Sequence, residues 1–288
     1  MPACVEALNP ADVQEAVRAA LAEDIGVGDL TTEATIPLEL SWTAAMRARE
    51  DLVVAGIGLA EAAFRQLSRN VEITNQVQDG ARLERDGILM RISGPARALL
   101  TAERVALNFV QRLSGIATLT RRFVEALKGT QTKILDTRKT TPGWRRFEKY
   151  AVMCGGGQNH RFGLHDMVLI KDNHLAALRD AQPNAVAAAV KRARSANPGL
   201  RIEVEADNLK QVEQAVDAGA DIILLDNMDL SQMRAAVQKC AGRAQTEASG
   251  GVTLERIPQI AETGVDFISV GALTHSARAV DIALDFDS

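Results

Sequence analysis

Six short apolar runs, each closed by a polar or small residue and followed by a helix-length stretch, set the architecture of the second half of this 288-residue chain. They are Lys133–Arg138, Met167–Lys171, Arg201–Glu205, Asp221–Asp226, Gln245–Ser249 and Phe267–Gly271. From Ile202 onward they recur about every 20 to 23 residues, the length of one strand plus one helix, which predicts parallel strands with right-handed crossovers. A barrel-like α/β domain follows. In such barrels the residues at the carboxyl ends of the strands converge on one mouth. Arg138, Lys171, Glu205, Asp226, Ser249 and Gly271 all stand at such ends.

The first half is patterned differently. Asn9-Pro10 suits a helix start, and Val13, Ala16, Val17, Ala20 and Leu21 repeat at helical spacing up to a glycine- and acid-rich loop at Glu23–Asp29. From Trp42 to Ile92 short alternating runs broken by glycines read as strands, with one helix near Gly58 to Leu67. Thr101 to Leu113 is helical, Ser114-Gly115 reads as a break, and a second helix continues through Leu127. This places a domain boundary at 114/115, giving domains 1–114 and 115–275, with 276–288 returning to the first.

Charge is distributed unevenly. Between Arg138 and Lys171 there are seven Lys or Arg (Arg138, Lys139, Arg145, Arg146, Lys149, Arg161, Lys171) against Glu148 and Asp166, in a chain of net charge −4. Clustered like charges repel unless a bound anion offsets them, so the segment reads as a site for a small, densely negative substrate. With 3% aromatic residues the chain lacks the stacking rings expected of a nucleic-acid binder. Cys4, Cys154 and Cys240 are odd in number and widely spaced, which suggests reduced thiols in a cytoplasmic protein. No run of eighteen apolar residues and no export signal are present, so membrane insertion is not expected.

Each constellation also has a plainer reading. Arg138-Lys139 precedes a Pro142-Gly143 turn and is either an anion site or a solvated turn. His160-Arg161 follows the run Gly155-Gly156-Gly157, which either relieves backbone strain or lets a ligand approach; His160 alone could be an ordinary structural histidine. Paired planar guanidiniums at Arg138 and Arg161 suit two carboxylates on a flat ring. Lys171 is either a Schiff-base nucleophile or a point charge for phosphate. Glu205 and Asp226 call for a cation such as Mg2+ in a positive cavity, or else pair with Lys171 and Arg138 as salt bridges. Ser249-Gly250-Gly251 and Val270-Gly271-Ala272 are small enough for backbone N–H groups to reach a phosphate, and are otherwise plain turns.

Taken in order, these motifs, with Glu103-Arg104, Asn108, Ser114–Thr118, Glu203-Val204-Glu205 and Leu225-Asp226-Asn227, resemble the quinolinate phosphoribosyltransferase family over nearly the whole length. The resemblance implies an N-terminal α/β sandwich joined to an open, seven-stranded α/β barrel, the seventh strand being the family's and not visible in the pattern. It implies a homodimer in which Arg104 is donated across the interface. It places quinolinate against Arg104, Arg138, His160, Arg161 and Lys171. It puts phosphoribosyl pyrophosphate and Mg2+ near Thr137, Lys139, Lys171, Glu205 and Asp226, with phosphate at Ser249–Gly251 and Val270–Ala272. Lys139, Lys171, Glu205 and Asp226 would carry the chemistry, and Glu205 and Asp226 the metal. The rivals are a relative of the same fold with another substrate, a Schiff-base lyase using Lys171, and a non-catalytic phosphosugar-binding protein.

Overall fold

The computed structural model describes residues 7–74 and 77–287, so Cys4 lies outside the described residues. In chain order the first part contains α1 (Pro10–Ile25), α2 (Leu30–Thr35), β1 (Ser41–Ala48), β2 (Leu52–Val53), α3 (Ile57–Leu67), β3 (Glu72–Thr74), β4 (Arg82–Leu83), β5 (Ile88–Pro95) and the long α4 (Ala96–Glu125). Next come β6 (Lys133–Leu135), α5 (Arg145–Cys154), β7 (Val168–Ile170), α6 (Asp172–Ala177), α7 (Ala185–Ala196), β8 (Ile202–Ala206) and α8 (Leu209–Asp217). The remainder is β9 (Ile222–Asp226), α9 (Leu230–Cys240), β10 (Gln245–Ser249), α10 (Ile257–Ala261), β11 (Phe267–Ser269), α11 (Ala272–His275) and β12 (Ile282–Phe286).

Two compact units result. The first takes the described residues up to Arg121, Thr141–Gly156 and those from Ser276 onward; the second takes Arg122–Thr140 and Gly157–His275. The first unit carries an antiparallel sheet in the order β12-β1-β5-β3. Trp42 on β1 packs its ring 4.6 Å from Phe286 on β12, which ties the end of the chain into this sheet. Asn9 caps α1 by accepting the Ala11 N–H at 2.9 Å, and Gly26, at φ 54°, closes the helix where other residues would be strained.

The break expected at Ser114-Gly115 does not exist: α4 runs unbroken through it. Both small residues serve packing instead. Ser114 is fully buried and its Oγ accepts the Ala55 N–H at 2.9 Å. A Cβ on Gly115 would sit 1.9 Å from the Arg278 carbonyl oxygen, so the helix is glycine there to let another backbone approach. The boundary drawn at 114/115 therefore falls inside a helix, and Thr141–Gly156 clusters with the first unit.

The second unit is a parallel sheet in the order β6-β11-β10-β9-β8-β7, matching the six runs read from the sequence. The seventh strand implied by family resemblance reduces to a single parallel bridge between Leu135 and Gln158 at the β6 edge. Residues 222–225 of β9 are all buried, as expected of a central parallel strand covered on both faces. Among the described residues no helix is long and apolar enough to cross a membrane.

The replacement Gly115→Ala must displace backbone rather than a flexible side chain. We expect it to cost at least the upper end of the ~1–3 kcal/mol typical of overpacking, read as a lowered Tm in thermal denaturation.

Candidate active site

Strand periodicity builds the site. β8 reads Ile-Glu-Val-Glu-Ala, so Ile202, Val204 and Ala206 share one buried face while Glu203 and Glu205 share the other. The same two-residue step places Leu169 with Lys171, Leu224 with Asp226, and Glu247 with Ser249 along one cleft of about 360 Å³. Asp136, Thr137, Arg138, Lys139, His160, Arg161 and Ser269 complete its lining. Residues more than a hundred positions apart thus share one hollow at the carboxyl ends of the strands.

The cations come from the edges of the sheet and the acids from its middle. Arg138 and Lys139 follow β6, His160 and Arg161 follow the bridge beside it, and Lys171 follows β7, the opposite edge. Arg161 donates to the Met167 carbonyl at 3.4 Å, just before β7. Arg161 is buried, and its guanidinium is held below its ordinary value first by burial and then by the neighbouring Arg138. Two guanidiniums forced together in a recess form a receptor for an anion.

Glu205, Asp207 and Asp226 bring carboxylate oxygens within 4.8 Å of one another. Burial raises the Glu205 pKa; Lys171, 3.7 Å away, opposes the rise, while Asp226, Asp172 and Asp207 add to it. At about 4 Å, like charges repel by about 4 kcal/mol at an effective dielectric of about 20. A hard cation with oxygen ligands would relieve this, so the donor set fits a magnesium ion. The side chain of Lys171 is 49% exposed, whereas a Schiff-base lysine needs a desolvated pocket.

Beneath this layer lie two glutamates to which the sequence motifs gave no role of their own. Glu203 and Glu247 are buried, and His160 Nε2 donates to Glu203 Oε2 at 2.8 Å and stands 3.4 Å from Glu247 Oε2. Buried Asp136 accepts the His160 backbone N–H at 2.9 Å. Burial alone would lower the His160 pKa, but the two glutamates outweigh it and push it up to about 10. The alternation Glu-Val-Glu was the available signal: on a strand it sends both acids to the same side. Asp207 was missed because it lies just past the strand end.

Lys139 is pinned through its backbone. Its N–H donates to Thr137 Oγ1 at 3.1 Å and its carbonyl accepts from buried Thr274 Oγ1 at 2.7 Å. Its side chain passes over Gly271, where an added Cβ would come within 3.1 Å of Lys139 Cδ.

The phosphate-loop candidates frame the cleft without all lining it. Ser249 lines it; Gly250, Gly251, Val270, Gly271 and Ala272 do not. Gly250, at φ 92°, is in a conformation that strains other residues, and a Cβ there would lie 2.1 Å from Asn227 Oδ1 and 3.1 Å from the Asn227 backbone nitrogen. The Val270 N–H is spent on the Leu135 carbonyl, and in α11 the Leu273 N–H donates to the Val270 carbonyl and the Thr274 and His275 N–H groups to the Gly271 carbonyl. Arg104 is exposed on α4 in the first unit and is not among the lining residues.

The glycine run and the thiols take the plainer reading. Gly155 ends α5 and packs against α4, where a Cβ would lie 2.5 Å from Thr120 Cβ. Cys154 and Cys240 are buried and free, and burial pushes the Cys154 thiol up to about 12, away from nucleophilic use.

Comparison with known proteins follows this geometry. Residues 29–114 match the family model described as quinolinate phosphoribosyl transferase, N-terminal domain, and residues 116–285 match its C-terminal domain. The chain is 45% identical over 278 residues to the carboxylating nicotinate-nucleotide pyrophosphorylase of Mycobacterium leprae, covering 94% of this chain and 96% of that protein. It is 41% identical over 293 residues to the chloroplastic enzyme of the same name from Arabidopsis thaliana, covering 96% and 83%. The solved nicotinate-nucleotide pyrophosphorylase of Francisella tularensis superposes with a TM-score of 0.92 at 40% identity, covering 98% of this chain and 99% of that one.

The raised His160 pKa has a defined sign. Its contribution to stability is complete below the ordinary value of 6.5 and is lost as pH rises through the folded value of about 10. Urea denaturation should show stability falling across that window more steeply in the native chain than in His160→Gln.

Proposed function

The chain belongs to the quinolinate phosphoribosyltransferase family, and on that premise we propose that it transfers the phosphoribosyl group of phosphoribosyl pyrophosphate to quinolinate with decarboxylation, yielding nicotinate mononucleotide, pyrophosphate and CO2 for NAD biosynthesis. The observation that carries this is the gathering of Arg138, His160, Arg161 and Lys171 with Glu205 and Asp226 around one cleft. Such a cavity suits a flat diacid beside an activated sugar.

In this reading Arg138 and Arg161 bind the ring carboxylates by charge-assisted hydrogen bonds, with His160 and Lys171 beside them. Glu205 and Asp226 face the ribose and stabilise positive charge as it develops at the anomeric carbon. The pyridine nitrogen attacks there and displaces pyrophosphate; the adjacent carboxylate leaves as CO2, its bonding electrons stay on the ring carbon beside the quaternary nitrogen, and that carbon takes up a proton from water to give nicotinate mononucleotide. Lys139, held by Thr137 and Thr274, meets the pyrophosphate, and the turns at Ser249–Gly251 and Val270–Ala272 receive phosphate. Glu205 and Asp226 would hold magnesium, with Asp207 close enough to assist; the ion, when bound, neutralises the leaving pyrophosphate.

We further propose a homodimer in which Arg104 reaches the partner's quinolinate site. Its exposure on α4 is what a residue serving a second copy requires. A cytoplasmic location is supported by the free, buried Cys154 and Cys240.

Incubation with quinolinate, phosphoribosyl pyrophosphate and magnesium should yield nicotinate mononucleotide and CO2 in equal amounts, and chelation by EDTA should stop it. No product under these conditions would end the assignment. Steady-state kinetics separates the roles: Arg138→Ala should weaken quinolinate binding by about 1.5–3 kcal/mol, whereas Glu205→Ala should lower kcat with little effect on the quinolinate KM.

A further inference from the structure

Two buried carboxyl groups are left without a task by the reaction as described; burial, and after it Glu247, raise the Glu203 pKa to about 7 while His160 opposes the rise. Glu203 and Glu247 are 0% and 1% exposed, on the same strand faces as Glu205 and Ser249 but one step deeper. Burying carboxylates is expensive, and apolar side chains of similar volume would usually serve stability as well. Their common partner is His160 Nε2, at 2.8 Å from Glu203 and 3.4 Å from Glu247. Glu203 Oε1 has no hydrogen-bond partner among the described residues, so the pair is not simply part of a saturated structural network. The negative charge of Glu203 is also felt by the guanidinium of Arg161. His160 is thus held twice, its backbone N–H by Asp136 and its Nε2 by Glu203, with Glu247 Oε2 3.4 Å away, and it lines the cleft.

We propose that Glu203 and Glu247 are positioning residues for the diacid substrate: acting through His160, they tie down Nε2–H and orient the imidazole so that its other edge, beside Arg161, meets a quinolinate carboxylate. This rests on the quinolinate reading of the cleft. Glu203 lies behind the lining and Glu247 at its floor, and both act on the diacid through His160. They set the angle of a group that meets the substrate, and a buried anion beneath the floor keeps the cations above it from repelling one another.

The test is a double-mutant cycle in the full chain. Glu247→Gln keeps the shape and an acceptor oxygen but removes the charge. It should raise the quinolinate KM, and the dissociation constant from calorimetry, about tenfold, with the phosphoribosyl pyrophosphate KM within about twofold of native. In a His160→Gln background the same change should add less than about twofold, because the path through His160 is already gone. Glu203→Gln, carried through the same cycle, serves if Glu247→Gln does not fold. Equal losses for both substrates, or full additivity with His160→Gln, would overturn the proposal. Native protein that binds quinolinate but makes no nicotinate mononucleotide would instead sink the reaction assignment and leave the positioning role standing.

Discussion

Parallel pairing of six strands is the constraint on which everything else in the catalytic unit depends. Because all six run the same way, every carboxyl end opens on one side, and the residues whose alternation faces inward there, among them Glu205, Asp226, Ser249 and Ser269, line the common hollow. Register sharpens this. Ser249 pairs with Asp226 and Ser269 with Leu135, whereas Glu205 pairs with Leu224 and Ile170 with Val204, so the rim steps down by two residues between β9 and β8.

Beneath the rim the same alternation produces a second layer, and its chemistry is inverted. The rim gathers cations from the edges and carboxylates from the centre; the layer below is acidic, with Asp136, Glu203 and Glu247 all buried. Buried anions under an anion-binding recess look contradictory until His160 and Arg161 are placed between them. A cation between two anionic layers is stabilised from both sides once substrate binds, and in its absence the lower layer alone keeps it in position. Preorganisation of this kind lets the recess receive a diacid without rearranging its own charges.

Much of this was legible from the order of residues. The apolar runs located six strands, and the polar residue closing each run located Arg138, Lys171, Glu205, Asp226 and Ser249 at the cleft. What escaped had physical causes. Ser114-Gly115 has the composition of a helix break, yet it is a packing device, because a glycine that admits a neighbouring backbone looks in sequence like one that ends a helix. Glu203 and Glu247 sit inside runs that read as strand interior, where acids are rare, and only their shared contact with His160 reveals a purpose.

By itself the sequence determined the parallel α/β class, the strand ends that meet at the cleft, and the family, because these rest on periodicities and motifs a few residues long. Only the tertiary structure decided which distant charges become neighbours: that Arg161 is buried beside Arg138, that His160 turns its Nε2 to two glutamates 43 and 87 positions further along the chain, and that Asp207 joins Glu205 and Asp226. The reason is the range of the forces involved. Helix and strand preferences act over a few residues, whereas Coulomb interaction between buried groups depends on separation in space and on the water excluded around them, and neither is written in the spacing along the chain.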